Sequence, residues 1–394
     1  MNPTPPSGPS LEDNRAIGVV NQILARAVKE RASDIHLEPR EQYLRVRYRI
    51  DGILQQRPSV LEAVRFAVVQ RIKVLCNMDI AEKRVPQDGS FKLLYEGSEL
   101  GFRVSTFPTE FGEKCVLRVL TGERPVGRLE TLGMPEAVAD RLRAAMSRHS
   151  GMLLACGPAG SGKTSTLYSV LHELQSAERN IVTLEDPVEH RFDGITQGQV
   201  NTRANFTFES GLRAILRQDP DVIMVGEMRD FETASIAFKA ALTGHLVLST
   251  LHTENAAEAV VRLADIGLER YLIGACLRAV VAQRLVRVLC VNCRKPVTAE
   301  ASAKRMLGLP EDRAYTLYEP GACVRCASTG FQGRVGLYEL LEVDEPIQEV
   351  IKSGGGKSQI EAAMRHRGMP TLRDAGWGLV REGRTSLGEV IRVV

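Results

Sequence analysis

Apolar and polar positions change period several times along the chain, and each change marks an expected element. Ile17, Val20, Leu24 and Val28 recur at helical spacing, and Ser10 with Asp13 just before them fits a capping box at a helix start. In "YLRVRYRIDGIL" the period drops to two: Leu44, Val46, Tyr48 and Ile50 alternate with Arg45, Arg47 and Arg49, and Asp51-Gly52 supplies a hairpin turn. Alternation alone puts the three arginines on the solvated face of that strand. Residues 59–78 read as a helix and "GFRVSTFPTEFGEKCVLRVL" as two further strands, so the chain up to about residue 121 is expected to form a small α+β domain.

From residue 132 the pattern changes again. "GMLLACG", "NIVTLEDP", "DVIMVGE" and "HLVLSTLH" are unbroken apolar runs, each followed by a polar or helical stretch. Strands buried on both faces read this way, so a mostly parallel sheet flanked by helices is expected. The expected boundaries are a flexible tail over residues 1–10, a small α+β domain over 11–121, a linker over 122–131 and an α/β domain over 132–394 with a helical C-terminal segment. Pro, Ser and Gly in "MNPTPPSGPS" deny the tail both a helix and a core.

Composition changes this picture little. A chain of 394 residues, 44% of them apolar, has material for two or three cores. A net charge of +3 gives no general reason to expect a polyanionic partner. No apolar run approaches the roughly 18 residues of a spanning helix and no signal peptide opens the chain, so the expected location is the cytoplasm. The eight cysteines are too few for a disulfide scaffold, and Cys76, Cys115, Cys156 and Cys276 are scattered as core residues would be.

Chemistry begins at Gly157-Pro158-Ala159-Gly160-Ser161-Gly162-Lys163-Thr164, followed by Ser165. This is G-x-x-x-x-G-K-[ST], and it stands after an apolar strand and before a helix, the context such a loop needs. Glycines let the backbone N–H groups turn toward phosphate, Lys163 neutralises the terminal phosphates and Thr164 is placed to ligate Mg²⁺, so ATP and Mg²⁺ are the expected ligands. Glu227 ends the run Val222 to Val225, Glu185 and Asp186 end "NIVTLEDP", and His245 and His252 bracket "LVLSTL". Acids and imidazoles at strand ends beside a phosphate cradle would supply a water activator, a magnesium ligand and a phosphate sensor. Taken singly, Glu227 reads equally well as a helix cap, Asp186 as the turn residue before Pro187 and His245 as a core histidine.

Together "ASDIHLEP", "RVRYRIDG", "DIAEKRVPQDG", "TLEDPVEH", "GLRAILRQDPDVIMVGEMRD" and "LTGHLVLSTLHTENA" resemble the secretion ATPases of type II secretion and type IV pilus assembly, from about residue 11 to the C-terminus. The resemblance implies a RecA-like P-loop ATPase core behind a small PAS-like α+β domain. It implies that Glu185 polarises the attacking water, that Glu227 serves Mg²⁺ from an atypical Walker B, and that His245 and His252 belong to a His box. Arg103, Arg118, Arg213 and Arg217 match arginines that the family gathers near the phosphates. Two features depart from the family: Ala159 stands where Thr is common, and the first matching motif comes too early to infer the extra platform-docking domain of many relatives.

Cys290, Cys293, Cys323 and Cys326 form two C-x-x-C pairs separated by 29 residues. Four thiolates at this spacing suit a closed, structural Zn²⁺ site within an element at about 286–335. A redox pair lacks its thioredoxin-like setting. A nucleic-acid ribbon would use Arg294, Lys295 and Arg325, yet Phe331 is the lone aromatic at hand for stacking. The family comparison favours zinc, because its secretion and assembly ATPases carry a tetracysteine element.

The expectation is therefore an ATP-hydrolysing motor for pseudopilin or pilin assembly. It would work as a homo-hexameric ring at the inner membrane, reaching the bilayer only through platform and adaptor proteins and binding no nucleic acid directly. A nucleic-acid or DNA-uptake motor built on the same core is the alternative, and a non-hydrolysing nucleotide switch a further one.

Overall fold

The computed structural model describes residues 11–120 and 127–394. The capping box at Ser10 therefore lies partly outside the described residues, as do the tail over 1–10 and the first part of the proposed linker. The chain divides into two compact units, residues 1–124 and 125–394.

In the first unit α1 (Leu11–Lys29) precedes β1 (Asp34–Pro39), β2 (Tyr43–Ile50) and β3 (Ile53–Leu61), then come α2 (Arg65–Leu75), β4 (Gln87–Tyr95), β5 (Ser98–Thr109) and β6 (Gly112–Leu120). The described strands form one antiparallel sheet in the order β3-β2-β1-β6-β5-β4. Ala16, Val20, Leu24 and Ala27 of α1 and Val68, Val69 and Ile72 of α2 join Ile35, Leu37, Leu44, Val46, Tyr48, Phe102 and Leu117 in one core. Each of the valine, leucine, isoleucine and phenylalanine side chains taken fully out of water contributes about 1.5–3 kcal/mol, before the entropy of ordering is set against it.

Two sequence expectations change here. The helix expected over 59–78 begins later, because Val60 and Leu61 continue the β2–β3 ladder opposite Leu44 and Tyr43. The arginines of β2 are not simply solvated. Arg45 and Arg47 donate to the two carboxylate oxygens of Glu38 on β1 at 2.7 and 2.6 Å, and Arg49 stands 3.5 Å from Asp34. Burial would raise the Glu38 pKa, but those guanidinium bonds outweigh it and hold the group at about 2.

The first element of the second unit is a single 3-10 turn, Leu129–Leu132, whose Leu129 is fully buried although the linker was expected to run to 131. Then follow α3 (Glu136–Met146), β7 (Gly151–Cys156), α4 (Lys163–Leu174), β8 (Ile181–Glu185), β9 (Thr196–Gln199), α5 (Phe208–Ile215), β10 (Val222–Val225), α6 (Phe231–Leu242), β11 (Leu246–Leu251), α7 (Ala256–Asp265), α8 (Arg270–Cys276) and β12 (Leu277–Leu289). Next come β13 (Lys295–Thr298), α9 (Ala301–Met306), β14 (Thr316–Glu319) and β15 (Phe331–Glu342), and the chain closes with α10 (Glu345–Lys352), α11 (Lys357–His366), α12 (Leu372–Arg381) and α13 (Leu387–Val393).

The main sheet has the order β15-β12-β7-β11-β10-β8-β9, parallel except for β15 against β12. Met152, Leu154 and Cys156 of β7 face one core and Leu153 and Ala155 face the other, which is why this strand reads as an unbroken apolar run. Because β7, β11, β10 and β8 are parallel, their C-terminal ends lie along one edge of the sheet, where open α/β folds bind ligands. No helix among the described residues is long and apolar enough to cross a membrane.

Candidate functional site

The loop between β7 and α4 curls through three glycines at positive φ, Gly157, Gly160 and Gly162, and α4 begins at Lys163. The helix N-terminus and the turned N–H groups make this a ready anion site. Lys163 is buried, and its Nζ donates to the loop carbonyls of Gly157 and Pro158 at 2.8 and 3.0 Å. Burial pushes its pKa down, with the nearby Glu227 partly offsetting that.

One cavity is lined by Gly160, Lys163, Thr164, Glu185, Glu227 and His252. The parallel register assembles it. Leu251 stands opposite Cys156, and Val225 stands beside both Ser249 and Leu184, so the residues that follow these strands converge on the phosphate loop. Glu185 is 3% exposed. Its Oε1 accepts from the Thr183 hydroxyl at 2.6 Å and from Gln197 Nε2 at 3.1 Å, and its Oε2 accepts from the Tyr168 hydroxyl. Burial, then that carboxylate, push the Tyr168 phenol far above its ordinary value, so it remains a donor. The peptide bond between Asp186 and Pro187 is cis.

Glu227 is held differently. Arg229 Nη2 lies 2.6 Å from its Oε1 and His252 Nε2 lies 3.6 Å from its Oε2. Burial and the Lys163 charge lower the His252 pKa against the opposing pull of Glu227, which keeps the imidazole largely neutral at pH 7. The hydroxyl of Thr164 and the carboxylate of Glu227 face the same cavity, an all-oxygen donor set that suits a hard cation such as Mg²⁺.

Other expected residues lie elsewhere. His245 precedes β11, at the end where Leu246 pairs with Gly151, so it is a strand length of about 20 Å from the phosphate loop. Its Nδ1 is 3.0 Å from the Ala240 carbonyl, which corrects the expectation that both histidines flank the phosphates. Arg213 pairs with Glu209 one helical turn away, and Arg217 Nη1 donates to the Arg213 carbonyl, so neither lines the cavity. Arg103 and Arg118 are cross-strand partners in the first unit, with Arg118 3.1 Å from Asp34.

The cysteines come together as spaced. Cys290 and Cys323 sulfurs are 3.8 Å apart, Cys293 and Cys326 3.7 Å, and Cys323 and Cys326 3.6 Å. A tetrahedron with Zn–S bonds of about 2.3 Å has edges of about 3.8 Å, which these three separations match, and all four sulfurs lie within 4.8 Å of one another, so the donor set suits Zn²⁺. Gly330 N–H also donates to Cys326 Sγ at 3.3 Å, the kind of outer contact that orients a metal thiolate. Cys76, Cys115, Cys156 and Cys276 are buried and free, as expected of core residues.

The family model described as "Type II/IV secretion system protein" matches residues 10–392. The chain belongs to that family. It is 47% identical over 384 residues to a protein named type II secretion system ATPase E from Vibrio cholerae, covering 98% of this chain and 76% of the relative. It is 42% identical over 388 residues to the type IV pilus assembly ATPase PilB of Thermus thermophilus, covering 98% of this chain and 44% of the relative. Among solved structures it is similar to the pilus retraction motor PilT with bound ADP, at TM-score 0.63 and 26% identity, covering 94% of this chain and 95% of that one. A member of this secretion ATPase family hydrolyses ATP, so nucleotide and Mg²⁺ are the ligands its phosphate loop serves.

For a type II/IV secretion ATPase, several residues around the loop were not anticipated from the sequence. Tyr168 reads as one more apolar position of α4, and Gln197 and Thr183 carry no motif. Arg229 had a signal, since "GEMRD" sets a cation two residues beyond the carboxylate it pairs with.

Proposed function

We propose that this chain is the ATP-hydrolysing motor of a type II secretion or type IV pilus machine, driving pseudopilin or pilin assembly through an inner-membrane platform. The observation that carries the reading is the carboxylate of Glu185, fixed by three donors at a strand end beside Lys163 and Thr164.

A carboxylate offers about four lone-pair sites, and three accept from protein donors, which leaves one for the proton of an attacking water. Lys163 steadies the terminal phosphates, and His252, near Glu227, is the candidate sensor of the terminal phosphate. Thr164 and Glu227 would hold Mg²⁺, which would supply charge neutralisation for the phosphates. Arg103 and Arg118, with Arg213 and Arg217, are the reserve of guanidinium charge that domain closure in a homo-hexameric ring would bring to the phosphates, coupling hydrolysis to motion. Cys290, Cys293, Cys323 and Cys326 would hold Zn²⁺ as a structural ion. The motor sits at the cytoplasmic face of the inner membrane and meets the bilayer through platform and adaptor proteins.

A nucleic-acid motor is disfavoured by the similarity to secretion and pilus ATPases, and one of the three cationic side chains near the knuckles is engaged within the fold: Arg294 lies over the Tyr318 ring at 4.3 Å and donates to the Gly383 carbonyl. The deciding experiment measures ATP turnover of the purified chain alone, with a candidate platform protein and with DNA. Lys163→Ala should abolish turnover, and Glu185→Gln should keep nucleotide binding while turnover falls by about 10²–10⁴. Stimulation by DNA rather than by the platform would reverse the assignment.

A further inference from the structure

The interior of β12 touches the nucleotide site at two consecutive residues that no motif marks. Gln283 is 2% exposed, and its Nε2 donates to the Ser161 carbonyl inside the phosphate loop at 2.8 Å. A Cβ on Gly157 would meet the Gln283 carbonyl at 2.6 Å and one on Gly162 would meet Gln283 Nε2 at 3.0 Å, so the loop lies directly against this strand. Arg284 is 8% exposed and turns toward the other rim of the site. Its Nη1 donates to the Gln283 carbonyl at 3.0 Å and its Nη2 to the Glu254 carbonyl at 2.5 Å.

Glu254 follows His252 and Thr253 on the crossing from β11 to α7. The far end of that crossing is also pinned, because Glu339 on β15 accepts from Ala256 N–H at 2.9 Å and from Leu372 N–H, at the start of α12, at 3.0 Å. Glu339 faces Ala282 across the β12–β15 ladder, so the three buried polar side chains occupy one stretch of one strand pair.

We infer that Gln283 and Arg284 are positioning residues for ATP turnover, with distinct tasks: Gln283 fixes the curl of the phosphate loop, and Arg284 fixes the segment that carries His252. This rests on the motor reading above. Among the described residues Gln283 Oε1 is buried with no protein hydrogen-bond partner, a cost to folding that an apolar side chain of similar size would avoid. Stability therefore does not account for an amide here, whereas a donor aimed at Ser161 does. A loop that grips phosphate in ground and transition states alike sets binding, while a sensor that moves with the chemistry sets the rate.

The test is steady-state ATP kinetics of the full chain, with nucleotide affinity from a fluorescent ATP analogue and with melting temperature, for Gln283→Leu, Arg284→Lys and Lys163→Ala. Gln283→Leu should raise KM and the dissociation constant about three- to tenfold, the share of one hydrogen bond, with kcat within about twofold and the melting temperature within a few degrees of the parent's, since the unpaired Oε1 is removed as the Ser161 carbonyl loses its donor. Arg284→Lys, which keeps the charge and loses the forked reach, should lower kcat about three- to tenfold with affinity retained. Parent-like kinetics in both, or losses that track a falling melting temperature, would overturn the inference. If Lys163→Ala keeps turnover, the motor reading fails first, so the two failures are distinguishable. Gln283→Ala is the second variant should the leucine not fold.

Discussion

Tyr168 tests how finely Glu185 must be held. Its hydroxyl donates to Oε2, the oxygen that Thr183 and Gln197 leave free of contact. Tyr168→Phe keeps the ring packed on Phe192 at 5.1 Å and removes that donor, together with the acceptor that the hydroxyl offers to the Glu189 and His190 N–H groups at 3.2 and 3.5 Å. Turnover should then fall about three- to tenfold at saturating ATP with affinity unchanged, measured as phosphate release; a change in affinity alone would sink the positioning role. The glutamate was legible in the sequence because it ends an apolar run after a phosphate loop, a local signal. Tyr168 was not, since nothing local separates a tyrosine that packs in a helix from one whose hydroxyl reaches a carboxylate. His245 was misplaced because its spacing from His252 spans a whole strand, and a strand's two ends face opposite edges of the sheet.

Among elements, α13 shows how a short helix is kept on the fold by one carboxylate. Glu389 is buried and accepts from Arg287 N–H at 3.1 Å, Arg287 Nη2 at 2.8 Å, and Arg392 Nη2 and Nε at 2.6 and 2.9 Å. Burial alone would raise its pKa, yet the bonds from Arg392 and Arg287 hold it at about 2, below the usual 4.5. A folded-state pKa lower than the unfolded one means stability that is complete above the unfolded value and is lost as pH falls toward the folded one. Thermal unfolding should therefore be flat in this contribution above about pH 5 and decline between about pH 4.5 and 2, and Glu389→Gln should flatten that decline while lowering stability at pH 7. A parent-like acid limb in the variant would assign the decline to other pairs, Glu38 with Arg45 and Arg47 first among them. The β2 arginines show why such pairs escape a sequence reading: alternation gives the face, but the carboxylate facing them comes from a neighbouring strand.

At the scale of the molecule, the order of apolar runs announced a parallel sheet, but not that β12 would lie beside β7 and turn antiparallel into β15. That pairing gives the cysteine cluster its consequence. Cys290 directly follows β12, Cys326 precedes β15 by a short turn, and Arg287 on β12 lies 3.9 Å from the Phe331 ring centre on β15. Closing the four thiolates on Zn²⁺ would clamp together the ends of the same strand pair that carries Gln283, Arg284 and Glu339. Metal analysis of the purified chain should give one zinc per chain. Its removal by chelator, or Cys323→Ser, should lower the melting temperature by on the order of 10 °C, a few kcal/mol for a unit of this size. Below that temperature nucleotide affinity should weaken with the metal lost and return when zinc is restored, because the clamp is remote from the phosphates and acts through the strands. A cluster that binds no zinc, or whose loss leaves stability untouched, would mean that the fold of β12 and β15 is complete without it, and that the knuckles serve a surface role instead.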